Sequence, residues 1–403
     1  MNKGLNRVVQ KLQFPNKLIF FILFVFLTSP VFCDRAVLQS YMQRFSASDL
    51  LTKAEILRSA KDDRTMNEYL GEFYEYAMRF VLDNYAQMGE LAHVNNIVNI
   101  SLSGLVNSGR KESLGILWRL FSVYPDDRTG AEILVAMGVL GKGNQTITRN
   151  INNYLIEKNE VFRSGRNVDY SMISACIAAI MELGDSSSYP ALFASICAGY
   201  PEVISSEAYG ALELINGNLY KFLSEVIGNN SPDEKFAAFR AGVNSERLRL
   251  WERGQLAELA LDQALAAEDD NADMTAMRYA AVLSLAGYRW TRANSSVIRH
   301  YYRVQADFLT GAASMERLIE AIACLGAVGN SQAALILGLQ LGLINARMET
   351  TDFFDAGITL AIVQALGLIG DNAAFDHLLS VKNLPYPENI VAAAEEALER
   401  LKW

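Results

Sequence analysis

The sequence predicts an all-α fold, an α-solenoid of stacked antiparallel helix hairpins, on three observations. A helix with one apolar face, a glycine turn, a polar cap and a second apolar helix recur along most of the chain. The turn glycines fall at a period of roughly 32 to 43 residues, the range of helical repeats. Eight prolines in 403 residues, mostly between the expected helices, and few alternating Val/Thr runs leave little room for strands.

The clearest copy runs from Gly357 to Val381. Ile358, Ile362, Ala365 and Ile369 line one helical face, with Leu366 beside them. Gly370 is suited to the left-handed residue that ends a helix, and Asp371 to capping the next by accepting from its free amides. Phe375, Leu378 and Leu379 give the second helix its apolar side. Neither helix buries its stripe alone, so the pair needs neighbours. Ile319–Gly342 repeats the pattern with a turn at Gly329 and Asn330, and Met172–Ile196 with a turn at Gly184 and Asp185. Looser copies turn at Gly109, Gly141, Gly217 and Gly287.

These turns resemble HEAT repeats, including the short HEAT-like type of bilin-lyase relatives, over about Asn95 to Leu401. The resemblance implies helix packing and turn chemistry without a reactive residue. A bilin-lyase role would imply a chromophore partner; the leader described next speaks against that cytosolic setting.

In chain order, residues 1–33 read as an export signal: Lys3, Arg7, Lys11 and Lys17 form a basic leader without an acid, followed by the apolar run Leu18–Leu27 and by Pro30. Cleavage after Cys33 would leave Asp34 as the new terminus and a periplasmic or extracellular protein. Membrane contact is then expected only through an uncleaved signal, although ten apolar residues fall short of the roughly 20 that span a bilayer. Lipidation at Cys33 is disfavoured by Phe32, where small residues are wanted. Residues 34–94 are expected to form an N-terminal helical cap, and 95–403 the repeat array with a closing helix from Glu388 to Leu401. Within the cap, Tyr69, Phe73, Tyr76 and Phe80 recur at helical spacing between about Thr65 and Tyr85, with Glu68, Glu72, Glu75, Arg79 and Asp83 opposite. That pattern reads as a buried stripe against a solvated face. A long helix is expected from Ser245 to Ala267, before the acidic cluster Glu268–Asp270.

Charge excludes one class of partner. Thirty-six basic and 45 acidic side chains give a net charge of −9, falling to −13 once the four leader cations are removed. Nucleic acid, which needs clustered Lys and Arg, is not expected. No cofactor or metal is expected either: the three histidines, His93, His300 and His377, have no second His or Cys at ligand spacing, and Glu268–Asp270 lacks the glycine and spacing of a calcium loop. Ala136–Gly143 lacks the first glycine and the Ser/Thr of a phosphate loop, and no Gly-x-Ser-x-Gly elbow occurs. Cys176, Cys197 and Cys324 are odd in number; each reads as a small buried apolar residue, with a Cys176–Cys197 pair left open.

One constellation stands out. On a single helix from Arg289 to Arg303, the arginines Arg289, Arg292, Arg299 and Arg303 would share an arc of about 80°, flanked by Trp290, His300, Tyr301 and Tyr302. Arginine with aromatic neighbours is the composition of interface hot spots. The competing reading is salt bridging to Glu268, Asp269, Asp273 or Glu316. The expectation is a non-enzymatic scaffold holding a protein partner on one curved face, with Arg289, Trp290, Arg292, Arg299, Tyr302 and Arg303 at the contact. The alternative is an envelope enzyme or ligand-binding protein with a carboxylate-lined groove acting on cell-wall glycan or peptide.

Overall fold

The computed structural model describes residues 30–88, 91–267, 271–351 and 354–402. Most of the leader and the acidic cluster Glu268–Asp270 lie outside the described residues. Among those described, the fold is all-α, with no strand and only an isolated bridge between Asp371 and Lys402. The chain divides into two compact units, Met1–Ala191 and Leu192–Trp403.

The N-terminal unit contains α1 (Pro30–Ala47), α2 (Leu50–Asp62), α3 (Leu70–Asn84), α4 (Leu91–Ser108), α5 (Leu114–Val123), α6 (Asp127–Leu140), α7 (Gln145–Arg163) and α8 (Tyr170–Leu183). The division between units falls within α9 (Tyr189–Cys197). The C-terminal unit continues with α10 (Glu202–Leu214), α11 (Leu219–Asn229), α12 (Pro232–Asn244), α13 (Leu250–Ala266), α14 (Ala272–Tyr288), α15 (Asn294–Leu309), α16 (Met315–Val328), α17 (Ser331–Thr351), α18 (Ala356–Ile369), α19 (Phe375–Asn383) and α20 (Glu388–Glu399). Within each unit helices pack on the next in sequence or the next but one, as α13 does on α14 and α6 on α8. That is the pattern of an α-solenoid, with α2, α4, α6 and α8 forming one layer of the first unit and α12, α14, α16, α18 and α20 one layer of the second.

Glycine sets how closely the helices of a layer approach. A Cβ on Gly138 of α6 would lie 2.6 Å from the Ala179 Cα of α8, and one on Gly326 of α16 would lie 2.7 Å from the Ala365 Cα of α18. Gly367 of α18 meets Ala397 of α20 in the same way, its Cβ falling 2.9 Å from the alanine Cβ. Backbones therefore touch where each layer is tightest, and any side chain there forces them apart.

The turns follow the expected chemistry in two copies and depart from it in two. Gly184 and Gly370 are left-handed at φ 65° and 68°, and Asp185 and Asp371 accept from Ser187 N and Ala373 N. Gly329 is instead extended, and its smallness matters because a Cβ would lie 2.4 Å from the Leu325 carbonyl oxygen. Gly287 lies inside α14, in open space, and the left-handed residue of that turn is Arg289, φ 51°.

Three helix boundaries expected from the sequence are displaced. The helix expected from Thr65 begins as a 3-10 turn at Arg64–Met66, after which α3 starts at Leu70. The long helix expected from Ser245 begins at Leu250: Ser245 ends α12, and the Arg249 amide donates to the Glu252 carboxylate at 2.9 Å, closing the start of α13. The closing helix ends at Glu399. Of the expected aromatic stripe only Phe73 is buried, while Tyr69, Tyr76 and Phe80 are half-buried, and Phe45 of α1 packs edge-on to Phe73, Tyr76 and Phe80. Glu75, assigned by its spacing to the solvated face, is 13 % exposed and accepts from Arg110 Nε at 2.5 Å. Lys53 is 3 % exposed: its ammonium donates to the carbonyls of Ser46 and Ser48 at the end of α1 and lies over the Phe45 and Phe80 rings at 5.3 and 4.8 Å. Satisfied donors and two aromatic faces make that burial tolerable.

Gly138→Val should lower the unfolding free energy by about 1–3 kcal/mol, the range for overpacking a tight contact. Gly210, helical and facing open space, is the control, since Gly210→Ala should raise stability by about 0.5–1 kcal/mol. Urea unfolding of both variants followed by circular dichroism distinguishes close approach from helix propensity, and equal effects would contradict the packing account.

Candidate protein-binding surfaces

The arginine constellation is not one helix. Arg289 ends α14 in the left-handed conformation, Trp290 and Arg292 lie in the turn, and only Arg299, Tyr302 and Arg303 stand on α15. The break follows from the turn itself: the Trp290 amide donates back to the Leu285 carbonyl and the Ala293 amide to that of Trp290, so the chain closes one helix before opening the next.

The cluster turns toward α13. Arg299 Nη2 donates to Asp262 Oδ1 at 2.6 Å, which also accepts from Ser296 Oγ at 2.6 Å. Arg292 Nε lies 3.4 Å from Glu258 Oε2, and the Trp290 indole N–H donates to the same oxygen at 2.9 Å. The ring of Trp290 rests on Gly254, whose missing side chain makes room for it. Salt bridging is thus present, with Glu258 and Asp262 as partners of Arg292 and Arg299. The side chains of Arg292 and Arg299 remain 65 % and 55 % exposed, so these pairs contribute little to stability and leave the guanidinium groups accessible.

Two aromatic neighbours from the sequence reading prove internal. Tyr301 and His300 are buried, whereas Tyr302 is 49 % exposed. His300 packs edge-on to Tyr279 with ring centroids 5.3 Å apart, and neither ring nitrogen has a hydrogen-bond partner among the described residues. Burial, then the Arg278 and Arg317 guanidinium groups, pull its pKa down to about 3, so it is neutral at pH 7.

The sequence reading missed a row of leucines. Leu335, Leu339 and Leu343 on α17 are 53, 64 and 63 % exposed. They stand at i, i+4 and i+8, opposite the buried Ala333, Ala334, Leu337 and Leu341. The signal was present in the all-round hydrophobicity of the stretch from Ala333 to Ile344, which supplies more apolar residues than one buried face can take. A hydrogen bond from Gln305 Nε2 to Gln340 Oε1, 3.3 Å, joins α15 to α17, placing Tyr302 on the helix beside the row.

The N-terminal unit carries two adjoining open grooves of about 780 and 520 Å³ that share Ser103 and Asn107. Leu102, Val106, Val135 and Val139 line the first, Arg58, Lys61 and Tyr74 the second. The carboxylates at these grooves are Glu132 in one and Asp62 in the other. A smaller cavity of about 310 Å³ lies beside α5, walled by Trp118, Phe121, Tyr124 and Tyr154 together with Asp126 and Asp127. Cys176, Cys197 and Cys324 form no disulfide, so the Cys176–Cys197 pair left open by the sequence is not made; burial raises the thiols of Cys176 and Cys324 to a pKa of about 12, which keeps both protonated. No group of His, Cys, Asp or Glu among the described residues is arranged to hold a metal ion, and no described helix is long and apolar enough to cross a membrane.

Neither a protein-family model nor a curated protein matches the chain. Among solved structures it is similar to one from a study of a conserved phosphorylation switch that controls the interaction between cadherin and beta-catenin. The identity is 12 % over 93 % of this chain and 97 % of that one, with a TM-score of 0.31.

His300 generates a signed pH dependence. Its folded pKa lies below the unfolded value of 6.5, so its neutral form supports folding above pH 6.5 and that contribution falls as pH drops toward 3. Each pH unit in that window should cost about 1.4 kcal/mol. His300→Leu should be less sensitive than the parent between pH 6.5 and 5 by roughly 2 kcal/mol. Urea unfolding at the two pH values measures the difference, and parallel losses in parent and variant would exclude His300 as the cause.

Proposed function

We propose that this chain is an exported, non-enzymatic helical-repeat scaffold of the HEAT-like kind that binds another protein on the outer face of α15 and α17. The observation that carries the reading is the row Leu335, Leu339 and Leu343, each more than half exposed. A run of large aliphatic side chains along a rigid helix costs solvation unless something covers it, and contiguous apolar surface rimmed by polar groups marks interaction sites. Tyr302 stands on α15, which the Gln305–Gln340 hydrogen bond joins to α17, and we assign it to the contact region together with Arg289, Trp290, Arg303 and the accessible guanidinium groups of Arg292 and Arg299, which pair toward α13. Such side chains suit the hot spots of a protein interface.

Export rests on the basic leader and the apolar run Leu18–Leu27, with processing after Cys33 and residence in a periplasm or outside the cell. Mild crosslinking of the tagged chain in its own cell envelope, followed by mass spectrometry, tests both parts. We expect an N-terminus at Asp34 and a reproducible protein partner. Leu335→Gln/Leu339→Gln/Leu343→Gln should lose that partner while each change alters stability by no more than about 0.5 kcal/mol, the usual range for exposed positions. Retention of the partner by the folded triple variant would remove the leucine row from the interface. Retention by Arg292→Gln/Arg299→Gln/Arg303→Gln would remove the arginines.

A further inference from the structure

We propose that the small aromatic cavity beside α5 binds an alkylammonium cation, with Trp118, Phe121 and Tyr154 supplying the walls and Asp127 the counter-charge. This goes beyond the scaffold reading and rests on different residues, in the N-terminal unit.

Size, walls and charge agree. A cavity of about 310 Å³ is at the small end of ligand sites and matches a single compact head group. Its rings brace one another, with centroids 5.4 Å apart for Trp118 and Phe121 and 5.0 Å for Phe121 and Tyr154. Aromatic faces attract cations through the ring quadrupole, and most strongly where water is excluded. Tyr154 already does this on one side, where the Lys158 ammonium lies 5.0 Å from its centroid.

The lining includes two carboxylates and no Lys or Arg. Asp126 is committed to the fold: it accepts from the Thr129 amide at 2.8 Å, capping α6, and from Asn95 Nδ2 at 3.2 Å. Asp127 makes no hydrogen bond or ion pair among the described residues and is exposed at the first turn of α6. Glu157 and Asp169 add to the negative field at Tyr154, whose hydroxyl is held protonated by burial and by these carboxylates, keeping the ring a neutral phenol. An anionic ligand would meet repulsion here, and a neutral one would leave Asp127 unanswered.

Calorimetric titration of the full mature chain with choline and with its neutral isostere 3,3-dimethylbutan-1-ol isolates the charge. Choline should bind at least about fivefold more tightly, the effect of a modest cation–π and carboxylate contribution. Asp127→Asn, a surface change, should remove most of that preference. Nα-acetyl-lysine methylamide, set against its norleucine counterpart, distinguishes the source: tighter binding than choline assigns the site to a protein-borne lysine, weaker binding to a free quaternary ammonium compound. Equal affinity for choline and the alcohol, no heat from any cation, or an unchanged preference in Asp127→Asn would each overturn the proposal. Capture of the envelope partner is read separately through the leucine variants, so either result can fail alone.

Discussion

Within each unit the stack depends on backbones being able to touch. Gly138 against Ala179, Gly326 against Ala365 and Gly367 against Ala397 put a glycine of one helix on an alanine of the next helix in its layer. The gain is cumulative, because close axes allow long rows of Ile, Leu and Val on both sides to come into dispersion contact. It is also one-sided in size: the glycine cannot grow, whereas the surrounding aliphatics can exchange among themselves with modest loss. The same logic governs the other layer, where Gly338 and Gly342 of α17 leave room for the His377 ring of α19.

The connections between helices show how one geometric task is met by different residues. At Gly184 and Gly370 the chain turns through a left-handed glycine. At Gly329 it turns through an extended residue that must be small for contact reasons alone. At Arg289 it turns through a left-handed arginine, a conformation costing roughly 1 kcal/mol in a residue with a Cβ. That strain is offset locally: the next residue, Trp290, lays its indole on Gly254 and donates to Glu258, fixing the turn from the side of α13.

These differences explain what could be read from the sequence. Periodicity in Ile358, Ile362, Ala365 and Ile369 is enough to predict a helix and its buried face, and Gly370 with Asp371 is enough to predict the turn. The all-α hairpin architecture was legible for that reason. The arginine constellation was not, because a wheel drawn from Arg289 to Arg303 assumes an unbroken helix, and nothing in the local composition marks Arg289 as left-handed. Gly287, two residues earlier, is the more obvious turn residue and is not used as one. Buried histidine is equally opaque: the environment of His300 is made by Tyr279, Arg278 and Arg317 from α14 and α16. The cavity at Trp118 was within reach, since Trp118, Phe121, Tyr124, Asp126 and Asp127 fall within ten residues, but Tyr154 joins them only through the packing of α7.

The leucine row on α17 has a further consequence in colloidal terms. Three half-exposed leucines would by themselves favour adhesion between molecules, yet they belong to a chain with nine more acidic than basic side chains. Like charge keeps copies apart over roughly a Debye length, about 10 Å at 0.1 M salt and about 3 Å at 1 M. The acid excess therefore opposes adhesion between copies through this apolar row in dilute electrolyte, and salt concentration sets how far that opposition reaches.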